Sequence, residues 1–415
     1  MELKLLKDIK LNEGQERALA MVRKLRDAAG NDTPVVGVLT GFAGSGKTTT
    51  LRAISKEMGG SIIVTPTGKA AVRVTEATGL PASTIHRWLY KPSKNVRTSE
   101  VVWKLKEAED FIRPPSGLVI VDEASMVDLK LWADVQEACS ILHCNVLLVG
   151  DSFQLPPVTK GDEKAFSVLD PGFPATYRES LTEIQRQALD SPIIRASMLL
   201  RQGKWMEAFL DLPHCSPANF VAKGDEVQRQ EGVVLVYTNA MRHETNKAIR
   251  NARGLTANEL VPGEPLLVKN NSYEVDRFNG ELVTFEGWDF VGQREVDVYD
   301  HTSKEIKKTR FGRGKIDGKE VALAVAQVFG QMDNISKANL ESAAKKNVIG
   351  TPFLHANLGY TLSYHASQGS EWPNVLVGVD KYTRADNQEG RRALYTAITR
   401  ASKEVTMCWN PVISS

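Results

Sequence analysis

The sequence predicts an α/β protein made of two parallel-sheet units, with a short insertion in the first and a small antiparallel barrel inserted in the second. Three observations carry this. Short apolar runs at 35–39, 62–65, 118–123 and 146–151 alternate with helical patterns, and the later three end in polar clusters. Nearly continuous apolar runs are what strands buried on both faces require. A second pattern of the same kind begins near residue 181, breaks at about 255 and resumes at Leu358. Between the two halves of that second pattern, residues 256–350 hold alternating apolar and polar side chains, with Asn279-Gly280 as a hairpin turn signal, which suggests the barrel.

Length and composition permit this architecture. The chain has 415 residues, 42% hydrophobic and 25% charged, with a formal net charge of +2, as in ordinary globular proteins with two or three domains. Any nucleic-acid contact must therefore come from local basic residues, not from the global balance. The four cysteines, Cys139, Cys144, Cys215 and Cys408, fit neither a zinc spacing nor a disulfide framework, and point to a reducing compartment. No signal peptide or membrane-length apolar run is read, so the cytoplasm is the expected compartment and a membrane is not an expected partner.

In chain order, a helix starts after Asn12, a candidate N-cap, with Leu19, Met21, Val22 and Leu25 at helical spacing. The run 35–39 leads into Gly41-Phe-Ala-Gly-Ser-Gly-Lys-Thr48 and then a helix over 47–58. Strand, glycine-rich loop and helix in that order form a phosphate-cradling P-loop. Gly41, Gly44 and Gly46 let backbone N–H groups approach phosphate oxygens. Lys47 supplies a charge to the β- and γ-phosphates, Thr48 offers a hydroxyl to Mg²⁺, and Ser45 and Thr49 complete the loop's contact set. A nucleoside triphosphate is therefore the expected ligand. In the second pattern, 232–237 reads as a strand, 240–250 as a helix that Asn239 caps, 374–379 as a strand, 389–400 as a helix and 404–409 as a final strand. The run 304–315 carries six basic residues and one acidic, as a solvated hairpin or a nucleic-acid contact would.

Asp122 and Glu123 end a buried strand. Successive side chains of a strand diverge, so the two have separate tasks: Asp122 is suited to hold Mg²⁺ and Glu123 to deprotonate an attacking water. Gln154, just past the next strand, is placed to bond the γ-phosphate. Hydroxyl-rich segments around Thr65, Pro66 and Thr67 and around Thr84 and His86 suit phosphodiester oxygens, though hydroxyls also cap helices. Tyr237, Thr238, Asn239, Tyr364 and His365 are further candidate strand contacts, by stacking or hydrogen bonding. Arg186 and Arg400 each close a motif in the second pattern and offer cations to transition-state charge. The insertion 88–107 carries Trp88, Tyr90 and Trp103 among lysines, a composition that fits a wedge which replaces lost base stacking, or an amphipathic stretch over 101–111 that packs on its own domain.

The motif order LNEGQ, GFAGSGKT, TPTGKAA, STIH, VDEAS, GDSFQLPPV, LTEIQRQ, VYTNAMR, GYTLSYHASQGSE and LYTAITRA, from residue 11 to 401, resembles superfamily 1 helicases of the RecD/Dda-like class that moves 5′ to 3′. The resemblance implies two RecA-like P-loop-type domains, the first over 1–87 and 108–180, the second over 181–255 and 351–415. It places a wedge at 88–107 and an SH3-like barrel at 256–350. It implies ATP and Mg²⁺ as cofactors, Gln15 on adenine, Arg186 and Arg400 as arginine fingers, and Gln368 and Glu371 linking nucleotide to DNA. Single-stranded DNA and duplex junctions are the implied partners, with replication or recombination proteins beside them, in a bacterial or phage-infected cell. One departure is Ala366, where the family pattern has lysine after the histidine. A nucleotide-gated clamp or a protein-displacing translocase without unwinding, and an RNA helicase, stay open as alternatives. Intact Lys47, Glu123, Arg186 and Arg400 favour the DNA motor.

Overall fold

The apolar runs of the first pattern become parallel strands. The structure is a computed structural model that describes residues 10–28, 33–94, 101–157, 166–184, 190–255, 259–272, 274–289, 294–300, 305–333, 335–381, 383 and 385–413. Two units cluster separately: Met1–Asp211 with Gln368–Ser370 and Asp386–Thr399, and Leu212–Ser367 with Glu371–Ala385 and Arg400–Ser415.

The first unit holds β1 (Val36–Gly41), β2 (Ile62–Thr65), β3 (Ala82–Thr84), the hairpin β4 (Tyr90–Lys94) and β5 (Val101–Leu105), then β6 (Leu118–Val121), β7 (Asn145–Gly150) and β8 (Tyr177–Leu181). All except the hairpin form one sheet in the order β3-β2-β6-β7-β1-β8, and its pairings are parallel. Alternation divides each strand between two cores. Val119 and Val121 join Val64, Val146 and Leu148 on one face; Leu118 and Ile120 join Ile63, Leu147 and Val149 on the other. Helices α1 (Glu13–Asp27) and α2 (Lys47–Met58) cover the second face through Ala18, Val22, Leu25, Leu51 and Ile54. After α3 (Gly68–Thr78) and the short α4 (Ile85–Leu89), α5 (Leu129–Leu142) covers the first face with Trp132, Val135 and Ala138. A buried side chain such as Ile120, with 0% exposure, contributes about 1.5–3 kcal/mol relative to an exposed one.

The chain passes over β7 and β6 to reach β2, and over β1 to reach β8. The order therefore reverses at β1, and a crevice at the carboxyl ends of the strands is expected there. The P-loop, Asp122-Glu123 and Asp151 all fall at those ends.

In the second unit, β9 (Val233–Val236) is followed by β10 (Pro265–Val268), β11 (Leu282–Trp288), β12 (Arg294–Asp300), β13 (Glu305–Ile316), β14 (Lys319–Ala324) and β15 (Ala356–Leu358), then by β16 (Thr361–Ser363), β17 (Trp372–Val379) and β18 (Ala401–Trp409). A four-stranded sheet, β16-β9-β17-β18, is parallel throughout, as the second apolar pattern requires. The inserted strands pair antiparallel in the order β12-β13-β11-β10-β15, with β14 also on β13.

Local details differ from the sequence reading. The helix Asn239–Ala252 is capped by Thr238, whose hydroxyl accepts from Met241 N–H, so Asn239 is its first helical residue. Asn279-Gly280 forms a turn with Gly280 at φ 88°, but the link from β10 to β11 spans 269–281, with a bridge between Ser272 and Arg277. The basic run lies on β13, where Lys308, Arg313 and Lys315 pair with Glu295, Asp289 and Glu286. For these three cations a solvated sheet face is the simpler account. No helix among the described residues is long and apolar enough to cross a membrane.

Candidate functional site

The P-loop follows directly from its glycines. Gly44 and Gly46 take φ of 78° and 83°, which side chains with a Cβ rarely adopt. A Cβ on Gly41 would lie 2.6 Å from Ser45 Oγ and 2.9 Å from Lys47 Cγ. Ser45 Oγ donates to the Phe42 carbonyl at 2.8 Å. Lys47 Nζ donates to the carbonyls of Gly41 and Phe42 at 2.6 and 3.1 Å and stands 4.0 Å from Asp151 Oδ2. Thr48 and Thr49 are exposed on the first turn of α2. Gln15 is 1% exposed: its Oε1 accepts from Asn12 N–H at 3.0 Å and its Nε2 donates to the Gly46 carbonyl at 3.4 Å. The Asn12 cap and the P-loop are thus tied by one side chain.

Asp122 and Glu123 are 6% and 4% exposed. Burial first, and then the charge of Glu123, push the Asp122 carboxyl up to about 6. A buried carboxylate penalised in this way fits a cation. Among the described residues no group of three or more His, Cys, Asp and Glu gathers as a metal cage, but Mg²⁺ needs only one or two carboxylates besides substrate phosphates. Asp122 offers such a carboxylate, and Thr48, exposed on the first turn of α2, a hydroxyl. Glu123 takes φ 54° and ψ 38° and forms an ion pair with Arg73 of α3 at 2.5 Å. Gln154 is 4% exposed, and its Oε1 has no hydrogen-bond partner among the described residues. A buried amide oxygen without a donor is costly, and marks Gln154 as a group awaiting a ligand or water.

The loop 151–155 is gripped by the helix Gln388–Ile398 of the same unit. Tyr395 Oη donates to Asp151 Oδ2 at 2.5 Å and accepts from the P-loop N–H of Ala43 at 2.9 Å. Burial, and next the Asp151 charge, hold that phenol well above its ordinary range. Arg392 donates to the carbonyls of Ser152 and Gln154. Leu155 N–H donates to Thr396 Oγ1 at 2.9 Å, and Gln368 Nε2 donates to the Leu155 carbonyl at 2.8 Å. Arg73, Arg392 and Tyr395 were missed in the sequence reading. Arg392 and Tyr395 lie three apart on one helix face, a signal that the conspicuous Arg400 obscured.

Several expected strand contacts have other employment. Thr65 is fully buried, and its hydroxyl donates to the Thr67 carbonyl. Thr84 is 3% exposed and caps α4 by accepting from Arg87 N–H. Both hydroxyls are buried and engaged, one in a backbone bond and one in a cap, so neither serves as a surface contact. Pro66 and Thr67 are half-buried, and Thr67 caps α3. His86 is half-buried, with its pKa lowered by burial and a buried Nδ1 that has no partner among the described residues. In the second unit, Tyr364 is 0% exposed and donates to the Gly378 carbonyl, so it braces its neighbours instead of offering a face. Tyr237, half-buried, has its ring 5.8 Å from Tyr364 and 6.3 Å from half-buried His365. Asn239 is exposed and accepts from Arg242 Nε.

The insertion also sorts its aromatics. Trp88 is 7% exposed and packs on Phe111 at 5.7 Å, which makes it an anchor in the core and not a wedge surface. Tyr90 is half-buried and donates to Asp134 at 2.5 Å. Trp103, opposite Pro92 on the hairpin, keeps 42% exposure. Arg186 lies outside the described residues. Arg400 is 4% exposed and precedes β18 by its own carbonyl bond from Trp372 N–H, while Glu371 is exposed.

Comparisons with known proteins agree with this geometry. Residues 10–214 match the family described as an AAA domain, and residues 358–408 match the UvrD-like helicase C-terminal domain. The chain is 30% identical over 394 residues to the ATP-dependent RecD2 DNA helicase of Deinococcus radiodurans, covering 88% of this chain and 45% of that protein. It is 26% identical over 295 residues to the ATP-dependent DNA helicase dda of Enterobacteria phage T4, covering 66% of this chain and 64% of that protein. The chain thus spans 45% and 64% of the length of these two relatives. The Pif1 helicase from Bacteroides in complex with ADP-AlF3 and ssDNA shares its fold, with a TM-score of 0.55 at 16% identity over 98% of this chain and 94% of that one.

Proposed function

We propose that the chain is a RecD-like superfamily 1 helicase, a reading supported by its matches to an AAA domain, to a UvrD-like helicase C-terminal domain and to the RecD2 and dda helicases, and that it is an ATP-dependent DNA helicase that translocates 5′ to 3′ on single-stranded DNA and unwinds duplexes. The observation that carries the reading is the convergence, at the carboxyl ends of β1, β6 and β7, of Lys47, Asp122-Glu123 and the loop from Asp151 to Gln154. In this proposal the P-loop N–H groups and Lys47 bind the β- and γ-phosphates. Thr48 and Asp122 hold Mg²⁺, which supplies charge neutralisation at the phosphates. Glu123 takes a proton from the attacking water, and Gln154 orients that water or the γ-phosphate. Arg186 and Arg400 add positive charge during turnover.

Pro66, Thr67, His86, Tyr237 and His365 contact the strand with little base readout. Two RecA-like domains, an SH3-like barrel at 256–350 and a wedge at 88–107 complete the reading, with Trp103 as the wedge aromatic. Its test is ATP turnover with and without single-stranded DNA, beside Lys47→Ala. DNA should raise turnover strongly in the natural chain and leave Lys47→Ala inert. A chain that binds ATP and strand but never turns over is a clamp, and overturns the proposal.

A further inference from the structure

Glu123 Oε1 lies 2.5 Å from Nη2 of Arg73, across 50 positions of sequence. The pair is lopsided: the Arg73 side chain keeps 38% exposure and that of Glu123 only 6%. An arginine that reaches from solvent to a buried carboxylate can be withdrawn by swinging its own side chain, with Ala70 and Val74 of the same helix left buried. The left-handed backbone of Glu123, φ 54° and ψ 38°, is rare for a residue with a Cβ and fixes where its side chain leaves the chain. One of the two oxygens by which Glu123 could accept a proton from water is meanwhile engaged in a charge-assisted bond.

The helix that carries Arg73 begins just after Thr67, in the segment proposed above to contact the strand. Thr67 caps α3 by accepting from Ala70 N–H. Gly369 approaches so closely that a Cβ there would lie 2.6 Å from Thr67 Oγ1. Arg73 follows Thr67 by six residues, about 9 Å along a helix axis. We infer that Arg73 is a positioning residue that holds Glu123 in check, and that single-stranded DNA seated on the N-terminus of α3 draws Arg73 off the carboxylate. Strand binding and water activation are then coupled through one helix. This rests on the helicase reading and adds to it the route by which DNA raises hydrolysis.

The test is ATP turnover of the full chain, with and without single-stranded DNA, for the natural sequence, Arg73→Ala, Arg73→Lys and the double variant Arg73→Ala/Glu123→Gln. From the strength of hydrogen bonds to charged groups, Arg73→Ala should raise DNA-free turnover by about 10- to 100-fold. Stimulation by DNA should shrink by the same factor, because the DNA-saturated rate stays close to that of the natural chain. Arg73→Lys, which keeps a cation, should retain most of the stimulation, and the double variant should lose the gain. The inference is overturned if Arg73→Ala turns over at or below the natural DNA-free rate while Arg73→Lys remains DNA-stimulated. It is also overturned if the gain survives in the double variant. If the natural chain hydrolyses no ATP with DNA present, the helicase reading fails and this inference with it. If the natural chain is stimulated and Arg73→Ala matches it, the inference alone fails.

Discussion

Tyr395→Phe removes a single oxygen, and the structure says what that oxygen holds. It donates to Asp151 Oδ2 at 2.5 Å and accepts from Ala43 N–H at 2.9 Å. Asp151 is 1% exposed, so bulk water does not replace the lost donor. A hydrogen bond to a charged group contributes about 1.5–3 kcal/mol and a neutral one about 0.5–1.5 kcal/mol. Part of the loss is recovered if Lys47, 4.0 Å from Asp151, swings onto the carboxylate. The net effect expected on the P-loop and the 151–155 loop is about 2 kcal/mol, which speeds amide exchange there by roughly 30-fold if both open locally. Native-state hydrogen exchange on peptides that cover 42–46 reads this directly, with β6 peptides as the internal reference. Lys47 drawn away from the phosphates should also weaken ATP binding. A change below about twofold at 42–46 would refute the bridge, given that the neutral bond alone should exceed it. Equal acceleration in β6 would mean global destabilisation and refute the local role.

Four further expectations follow from the geometry. Glu123→Gln should bind ATP with near-natural affinity and lose turnover, trapping the chain on DNA; near-normal steady-state hydrolysis removes Glu123 as the base. Arg400→Ala should lower DNA-saturated turnover by about 10³–10⁵-fold with ATP affinity little changed, and a loss of a few-fold would make Arg400 a structural cation. Trp103→Ala should spare DNA-stimulated hydrolysis and cut unwinding roughly tenfold, the scale of one lost base stack; unwinding at the natural rate would place the wedge elsewhere. Burial holds the His355 ring down to about 4, so its neutral form stabilises the fold fully above the ordinary value of 6.5 and progressively less as pH falls from 6.5 toward 4. Urea midpoints across that range should fall, and His355→Gln should flatten the slope.

What the sequence disclosed and what it hid divide along physical lines. The helix from Lys47 to Met58 and the strands around it were readable because glycine position, apolar period and helix start are local. The Asn12 cap was readable for the same reason. Arg73 on Glu123 and Tyr395 on Asp151 join residues 50 and 244 positions apart, and no local pattern announces such contacts. Thr84 illustrates an ambiguity of another kind: a hydroxyl before a helix suits a phosphate and a cap equally, and burial decides for the cap. Trp88 and Trp103 carry identical chemistry within one insertion. The first falls on the inner face of α4 and the second on a hairpin strand, so only folding separates an anchor from an exposed ring.

The central claim is directional unwinding driven by ATP, and partial duplexes test it most directly. Equal duplexes carrying only a 5′ or only a 3′ single-stranded tail are mixed with the chain, ATP and Mg²⁺, and strand separation is followed in a single turnover. The account predicts rapid separation of the 5′-tailed duplex, little of the 3′-tailed one, and none with Lys47→Ala. Efficient separation from the 3′ tail alone, or robust DNA-stimulated hydrolysis with neither duplex opened, would contradict it.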